Sequence, residues 1–163
     1  MTRAPAARSS KDTDSAGVKV PPPLIYMLGL LVGVGIEQLV PTPNLPGPVA
    51  LAAAGVGIAA SLYLDGGATR NFLRAGTRME PWKPSSVLVT TGPYRFTRNP
   101  MYVGMACLYL GASLAFGYLW SAALLPVVLL VIDRAVIARE ERYLTRRFGE
   151  PYLKYREQVR RWL

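Results

Sequence analysis

The sequence predicts an all-α integral membrane protein with four transmembrane helices. Three observations carry that expectation. First, charge is absent from three long blocks, residues 24–36, 47–64 and 99–132. A helix crosses a bilayer core of ~30 Å with about 20 mostly apolar residues, so the last block has the length for two crossings, divided near Gly117-Tyr118. Second, the 19 Lys and Arg fall into three segments: four in 1–20, six in 66–98 and nine in 134–163. The connections at 41–48 and around Gly117 hold none, and this alternation places both termini and the central loop on the cytoplasmic side. Third, the chain has no histidine and one cysteine. Ser-His-Asp triads, Cys-His dyads, His-based zinc sites and an internal disulfide are therefore excluded.

Taken in order, residues 1–20 are Ala/Ser/Lys/Asp-rich and aperiodic, and are expected to form a disordered cytoplasmic tail. Residues 21–163 are expected to form a single membrane-embedded domain. Pro21-Pro22-Pro23 starts the first helix, 22–41, in which Gly29 and Gly33 make a G-x-x-x-G that lets another backbone approach. Glu37 lies near its outer end and must snorkel outward or face protein, because a charge in lipid is costly. Residues 41–48 are too proline-rich for a helix and read as a tight outer turn. The second helix, 47–65, has a Gly/Ala-rich packing face; no strand precedes its glycines, so they are not a dinucleotide loop.

The central loop, 66–98, carries Arg70, Arg74 and Arg78 at four-residue spacing. This predicts a short interfacial helix with its arginines toward headgroups, broken at Pro81-Trp82-Lys83-Pro84. Ser86, Val87, Leu88 and Val89 form a short extended run, too isolated for a sheet, whose backbone groups could serve a ligand. Residues 90–102 hold the turn signals Gly92-Pro93 and Asn99-Pro100 around two arginines and an aromatic pair. The third and fourth helices, 100–117 and 119–137, form a hairpin, with Gly104, Gly111 and Ala115 for close packing. The fourth is expected to run on to about Arg147, with Phe148-Gly149 as its stop. Pro151 then opens a last helix; Phe148, Tyr152, Tyr155, Val159 and Trp162 make an amphipathic stripe suited to the membrane surface, whose aromatics could also close a cofactor pocket. Cys107 reads as a small packing residue. The basic excess is topological and favours anionic membrane lipids as partners; nucleic acid is not called for, and neither is a metal.

Thr91-Gly92-Pro93-Tyr94, Arg98-Asn99-Pro100-Met101-Tyr102, Glu140-Glu141 and Phe148-Gly149-Glu150-Pro151-Tyr152-Leu153-Lys154-Tyr155 occur in that order across a helical hairpin. Together they resemble the isoprenylcysteine carboxyl methyltransferase and phospholipid methyltransferase family, small integral membrane enzymes that use S-adenosylmethionine and release S-adenosylhomocysteine. The resemblance covers about residues 84–160. It implies a cytosolic cofactor pocket formed by the loop before helix three and the segments after helix four. Carried over residue by residue, that pocket would use the backbone of Ser86 to Val89, Tyr94, Asn99, Pro100, Met101, Tyr102 and Glu140. Two positions depart from the pattern. Asn99 stands where many members have histidine, and Val136 stands where the prenylcysteine enzymes place an arginine near the substrate carboxylate.

Transfer of a methyl group from a sulfonium needs a positioned nucleophile, a site tolerant of positive charge and exclusion of water. Tyr94, Tyr102 and Tyr152 can offer aromatic faces to the cation. Arg98 or Arg139 can pair with the cofactor carboxylate or a lipid phosphate. Arg134 and Arg139 are the nearest candidates for the missing substrate arginine, and Glu141 is a candidate base. The expected substrate is lipophilic and enters from the bilayer: a phospholipid headgroup amine or a small lipophilic amine. A prenylcysteine-type carboxylate, a nicotinamide-dependent reduction of the sterol reductase kind, and a non-catalytic lipid-binding module are the competing expectations. If the protein is bacterial, its place is the inner membrane.

Overall fold

Many large apolar side chains between residues 20 and 73 point outward, as they do where the solvent is lipid. The computed structural model describes residues 2–3, 15–18, 20–77 and 85–163. They form six α-helices: α1 (Pro22–Leu39), α2 (Gly47–Ala75), α3 (Pro100–Ala115), α4 (Leu119–Val131), α5 (Ala138–Phe148) and α6 (Glu150–Gln158). A π-helical segment, Ile132–Ile137, joins α4 to α5, and a 3-10 turn occupies Gly92–Arg95. Strands β1 (Thr2–Arg3) and β2 (Val87–Leu88) pair antiparallel. Among the described residues three helical runs are long and apolar enough to cross a membrane: Pro22–Leu39, Gly47–Ala75 and Leu119–Phe148. The other apolar helix, α3, has 16 residues, about 24 Å at 1.5 Å per residue.

The described residues divide into two compact units. One holds residues 20–65 and 101–133; the other holds residues 66–100 and 134–163 with the N-terminal residues.

In the first unit, proline in the first turn suits α1, where an N–H has no partner to lose. Its outer face is bare hydrocarbon: Leu28 is 64% and Leu31 58% exposed. The inner face meets α4. A Cβ on Gly33 would overlap the backbone of Ser121, and one on Gly29 would overlap Val128. The close approach lets Ser121 Oγ donate to Leu30 O at 3.0 Å, while Ser121 O accepts from Tyr109 Oη at 2.8 Å. Gly57 and Gly111 do the same for α2 against α3: their Cβ positions lie 2.6 Å from Cys107 O and 2.9 Å from Ala53 O. Without apolar driving force between helices in lipid, such small-residue seams and interhelical hydrogen bonds hold the bundle.

Glu37 faces protein. Its carboxylate accepts from Thr42 N at 2.7 Å and from the Thr42 hydroxyl, and from Trp120 N at 3.2 Å. Tyr118 gives α4 no side-chain cap, so Glu37 supplies an acceptor to the first turn from another helix, the end that favours negative charge.

Several expectations are corrected. Helix α2 does not stop at Asp65 to leave a separate interfacial helix; it continues through Gly66-Gly67 to Ala75. Gly67 lets Pro93 lie 2.7 Å from where a Cβ would be. Residues 86–89 are not isolated, because Val87 and Leu88 register with Arg3 and Thr2. Thr2–Arg3 thus form a strand within the tail expected to be disordered, and Val18 is buried. Residues 1, 4–14 and 19 of that tail, Arg78 and the Pro81–Pro84 break lie outside the described residues. The last helix ends at Gln158, with Val159 extended at φ −123°, ψ 133°, so Trp162 falls beyond it. The aromatic stripe faces protein: Leu88, Phe148, Tyr152 and Tyr155 form one buried cluster, with Tyr94, Leu144 and Val159 packed against it. Gly149, at φ +61°, turns the chain between α5 and α6 in a conformation that costs other residues energy.

Candidate active site

The second unit gathers most of the residues singled out in the sequence. Asn71 Nδ2 donates to Thr91 O at 2.7 Å and lies where a Cβ of Gly92 would stand, which fixes the start of the 3-10 turn. Tyr94 sits in that turn, its ring edge-on to Phe72 with centroids 5.8 Å apart. Tyr94 O accepts the Tyr155 hydroxyl at 2.7 Å, tying the turn to α6.

Arg98 follows, and its guanidinium is committed on two sides. Nη2 lies 2.8 Å from Glu141 Oε1 and Nη1 donates to Arg156 O at 3.1 Å. The Glu141 carboxylate is shared: Arg161 Nε donates to Oε1 at 3.1 Å and Nη2 to Oε2 at 2.5 Å. Two guanidiniums on one carboxylate, with the Arg98 and Glu141 side chains both only 11% exposed, make a charge cluster that withstands burial because each group is hydrogen-bonded. Glu141 was the candidate base. Both its oxygens are engaged by arginines, which suits a positioning residue.

Arg161 and Thr97 were not anticipated. Arg161 O accepts Asn99 Nδ2 at 2.8 Å and Thr97 Oγ1 at 3.1 Å, and Arg160 O accepts Arg98 N at 2.9 Å. Thr97 Oγ1 in turn accepts Asn99 N at 3.1 Å. Asn99 therefore spends its carboxamide N–H on the C-terminal segment, a bond that orders the loop and moves no proton. A late arginine after an amphipathic helix looks like surface charge; only its backbone carbonyl reveals the tie, and a carbonyl leaves no mark in a sequence.

The remaining candidates scatter. Pro100 is buried and begins α3. Met101 and Tyr102 belong to the first unit, where buried Tyr102 accepts the Tyr26 hydroxyl at its carbonyl, 2.8 Å away. Ser86 N donates to Thr77 Oγ1 at 3.0 Å. With the pairing of Val87 and Leu88, much of the 86–89 backbone expected to be free for a ligand is engaged by protein. Ser85 docks on α5: its N–H donates to Tyr143 Oη at 2.9 Å, and its carbonyl accepts Arg147 Nε at 3.2 Å. Arg139 donates to Gly17 O at 3.0 Å, Arg134 lies in the π segment, and Glu140 is half-buried on α5. Tyr152, 2% exposed, lies in the aromatic cluster. Burial, and then the Glu141 carboxylate, push its hydroxyl up to about 12. Burial also raises the Tyr155 hydroxyl. Both phenols are therefore neutral hydrogen-bonding groups at physiological pH, and neither is a base.

Compared with known proteins, residues 48–151 match the pattern of the family described as phospholipid methyltransferase. The chain is 38% identical over 73 residues to the protein-S-isoprenylcysteine O-methyltransferase of Schizosaccharomyces pombe, a stretch covering 45% of this chain and 31% of that one. It is 46% identical over 56 residues to an uncharacterized protein of Haemophilus influenzae, covering 34% of this chain and 79% of that one. The match thus spans about a third of the yeast enzyme's length. No solved structure matches the chain.

Proposed function

Since the chain belongs to the phospholipid methyltransferase family, we propose that it transfers a methyl group from S-adenosylmethionine to a lipophilic substrate reached from the bilayer. The substrate class is a phospholipid headgroup amine or a small lipophilic amine. One observation carries the proposal furthest. The motif loop and the motif helices, 43 to 61 residues apart in sequence, are tied together by Arg98–Glu141, Arg98–Arg156 O and Tyr155–Tyr94 O. A pattern kept for membrane packing alone would not need this polar assembly.

The residues present fit the donor. Arg98 Nε is a buried N–H with no acceptor, which the cofactor's carboxylate would satisfy, since an unpaired buried donor is costly. Glu140 is the carboxylate to receive its ammonium or ribose hydroxyls. When bound, S-adenosylmethionine supplies an electrophilic methyl carbon: the amine lone pair forms the new N–C bond as the C–S bond breaks. Glu141 holds Arg98 and Arg161 in place, so the amine proton leaves to water. Among the described residues no group of three or more His, Cys, Asp or Glu could hold a metal ion.

The yeast relative's name supports a carboxyl substrate as the second reading. Against it stands Val136, 1% exposed, an apolar side chain where an arginine would be needed to receive a carboxylate. A four-span arrangement with both termini cytoplasmic remains our proposal for the topology, on the charge distribution given above.

Calorimetry on the detergent-purified chain tests the cofactor. Micromolar binding of S-adenosylhomocysteine is expected, weakened by about tenfold or more in Glu140→Ala, the loss of one charge-assisted hydrogen bond. Saturable binding of NADPH in place of S-adenosylhomocysteine would move the chain to a reductase.

A further inference from the structure

The face of α5 turned away from Ser85 opens on a cleft of ≈ 490 Å³, within the ~300–1,000 Å³ range of small-ligand sites. Glu141, Arg142, Thr145 and Arg146 of α5 line it with Arg156 of α6 and Arg161 beyond. Four guanidiniums face it against one carboxylate, and that carboxylate is already bound by Arg98 and Arg161. Arg142, Arg146 and Arg156 are exposed, and among the described residues their guanidiniums enter no hydrogen bond or ion pair. A solvated basic surface normally intersperses acids with its arginines. Here three unpaired guanidiniums converge on one concavity beside the Thr145 hydroxyl, whose proton goes to Glu141 O at 2.7 Å.

Of the motif pair on the same helix, Glu141 borders this cleft and Glu140 does not. Residues 100° apart per step place Tyr143 and Arg147, which hold Ser85, on one side of α5, and Arg142, Thr145 and Arg146 on another. Glu140 lies about 120° from Arg146 on the opposite side to Thr145 and does not line the cleft.

We propose that this cleft is a binding site for a phosphate-bearing anion, the phosphate seated among Arg142, Arg146 and Arg156. Planar guanidiniums match phosphate oxygens in pairs. The volume exceeds that of the phosphate alone and admits the glycerol of a headgroup. The site stands on the cleft itself and is independent of the methyl-transfer proposal. Its phosphate can come from an anionic membrane lipid or from a soluble phosphate ester, and the two are separated by experiment.

The test uses the full chain in neutral detergent and in vesicles. Calorimetry with glycerol 3-phosphate probes the soluble source; co-flotation with phosphatidylglycerol/phosphatidylcholine vesicles, against phosphatidylcholine alone, probes the lipid. The triple variant Arg142→Gln, Arg146→Gln, Arg156→Gln is compared with Arg70→Gln, Arg74→Gln, Arg95→Gln, which removes the same charge from exposed positions outside the cleft. A loss of about tenfold or more in the first triple, with at most about twofold in the second, is expected from charge-assisted bonds made at one place. Binding in the detergent arm assigns the soluble ester; binding confined to anionic vesicles assigns the lipid. Equal losses in the two triples would reduce the cleft to diffuse surface charge and overturn the site, as would binding in neither arm.

Discussion

Glu141→Ala is expected to destabilise the protein by about 3 kcal/mol or more, because removing one member of a buried pair strands the charges it held. The carboxylate lies against the guanidiniums of Arg98 and Arg161, and the Arg98 side chain is only 11% exposed. The Arg98 guanidinium would lose its charged partner and keep Arg156 O. Arg161 would lose the anchor that sets its backbone carbonyl under Asn99 and Thr97. The damage should therefore spread to the motif loop. Exposed Glu157→Ala on α6 provides the comparison, with an expected change within about 0.5 kcal/mol for a surface position. Thermal unfolding in detergent measures both. If the two variants melt together, the cluster does not hold this unit.

The second large effect lies in the membrane. Gly33→Val should prevent α1 from docking on α4 and cost about 3 kcal/mol, the upper end for forcing atoms into packed space. The Cβ alone would overlap Ser121 Cα and N, and backbone cannot rotate out of the way. Separating the helices also breaks the bond from Ser121 Oγ to Leu30 O. Gly35→Val, two residues on, meets nothing within 4 Å and should be nearly neutral. Folded yield in detergent, read by gel filtration, distinguishes the pair; equal yields would mean that the G-x-x-x-G seam is not a packing contact.

These two positions mark how far the sequence carried. The membrane unit was legible: block length set the helices, and the spacing of Gly29 and Gly33 announced a close contact without naming α4 as the partner. Glu37 was left between two environments because its donors, Trp120 N and Thr42, come from segments that hydropathy cannot orient. The run of α2 through Gly66-Gly67 was missed because paired glycines signal a break unless something packs on them, and Pro93 does. The motif unit was legible by residue type and order, through the Asn-Pro, Glu-Glu and Phe-Gly elements, but not in its wiring. That wiring depends on carbonyls of Tyr94, Arg156 and Arg161, which every residue possesses. The aromatic stripe was correctly periodic over Phe148 at the end of α5 and Tyr152 and Tyr155 on α6. Its partner was misjudged, because periodicity identifies a buried face without telling whether lipid or Leu88 covers it.

The proposal that this chain methylates a lipophilic amine is tested most directly by the reaction itself. The purified protein, returned to vesicles of a total lipid extract, is supplied with methyl-labelled S-adenosylmethionine, and the lipids are separated before and after mild alkali. The account predicts alkali-stable label in an amine-bearing component, diminished in Glu140→Ala. Label released by alkali as methanol would contradict the amine, and no label in any lipid from protein that binds S-adenosylhomocysteine would contradict methyl transfer to lipid.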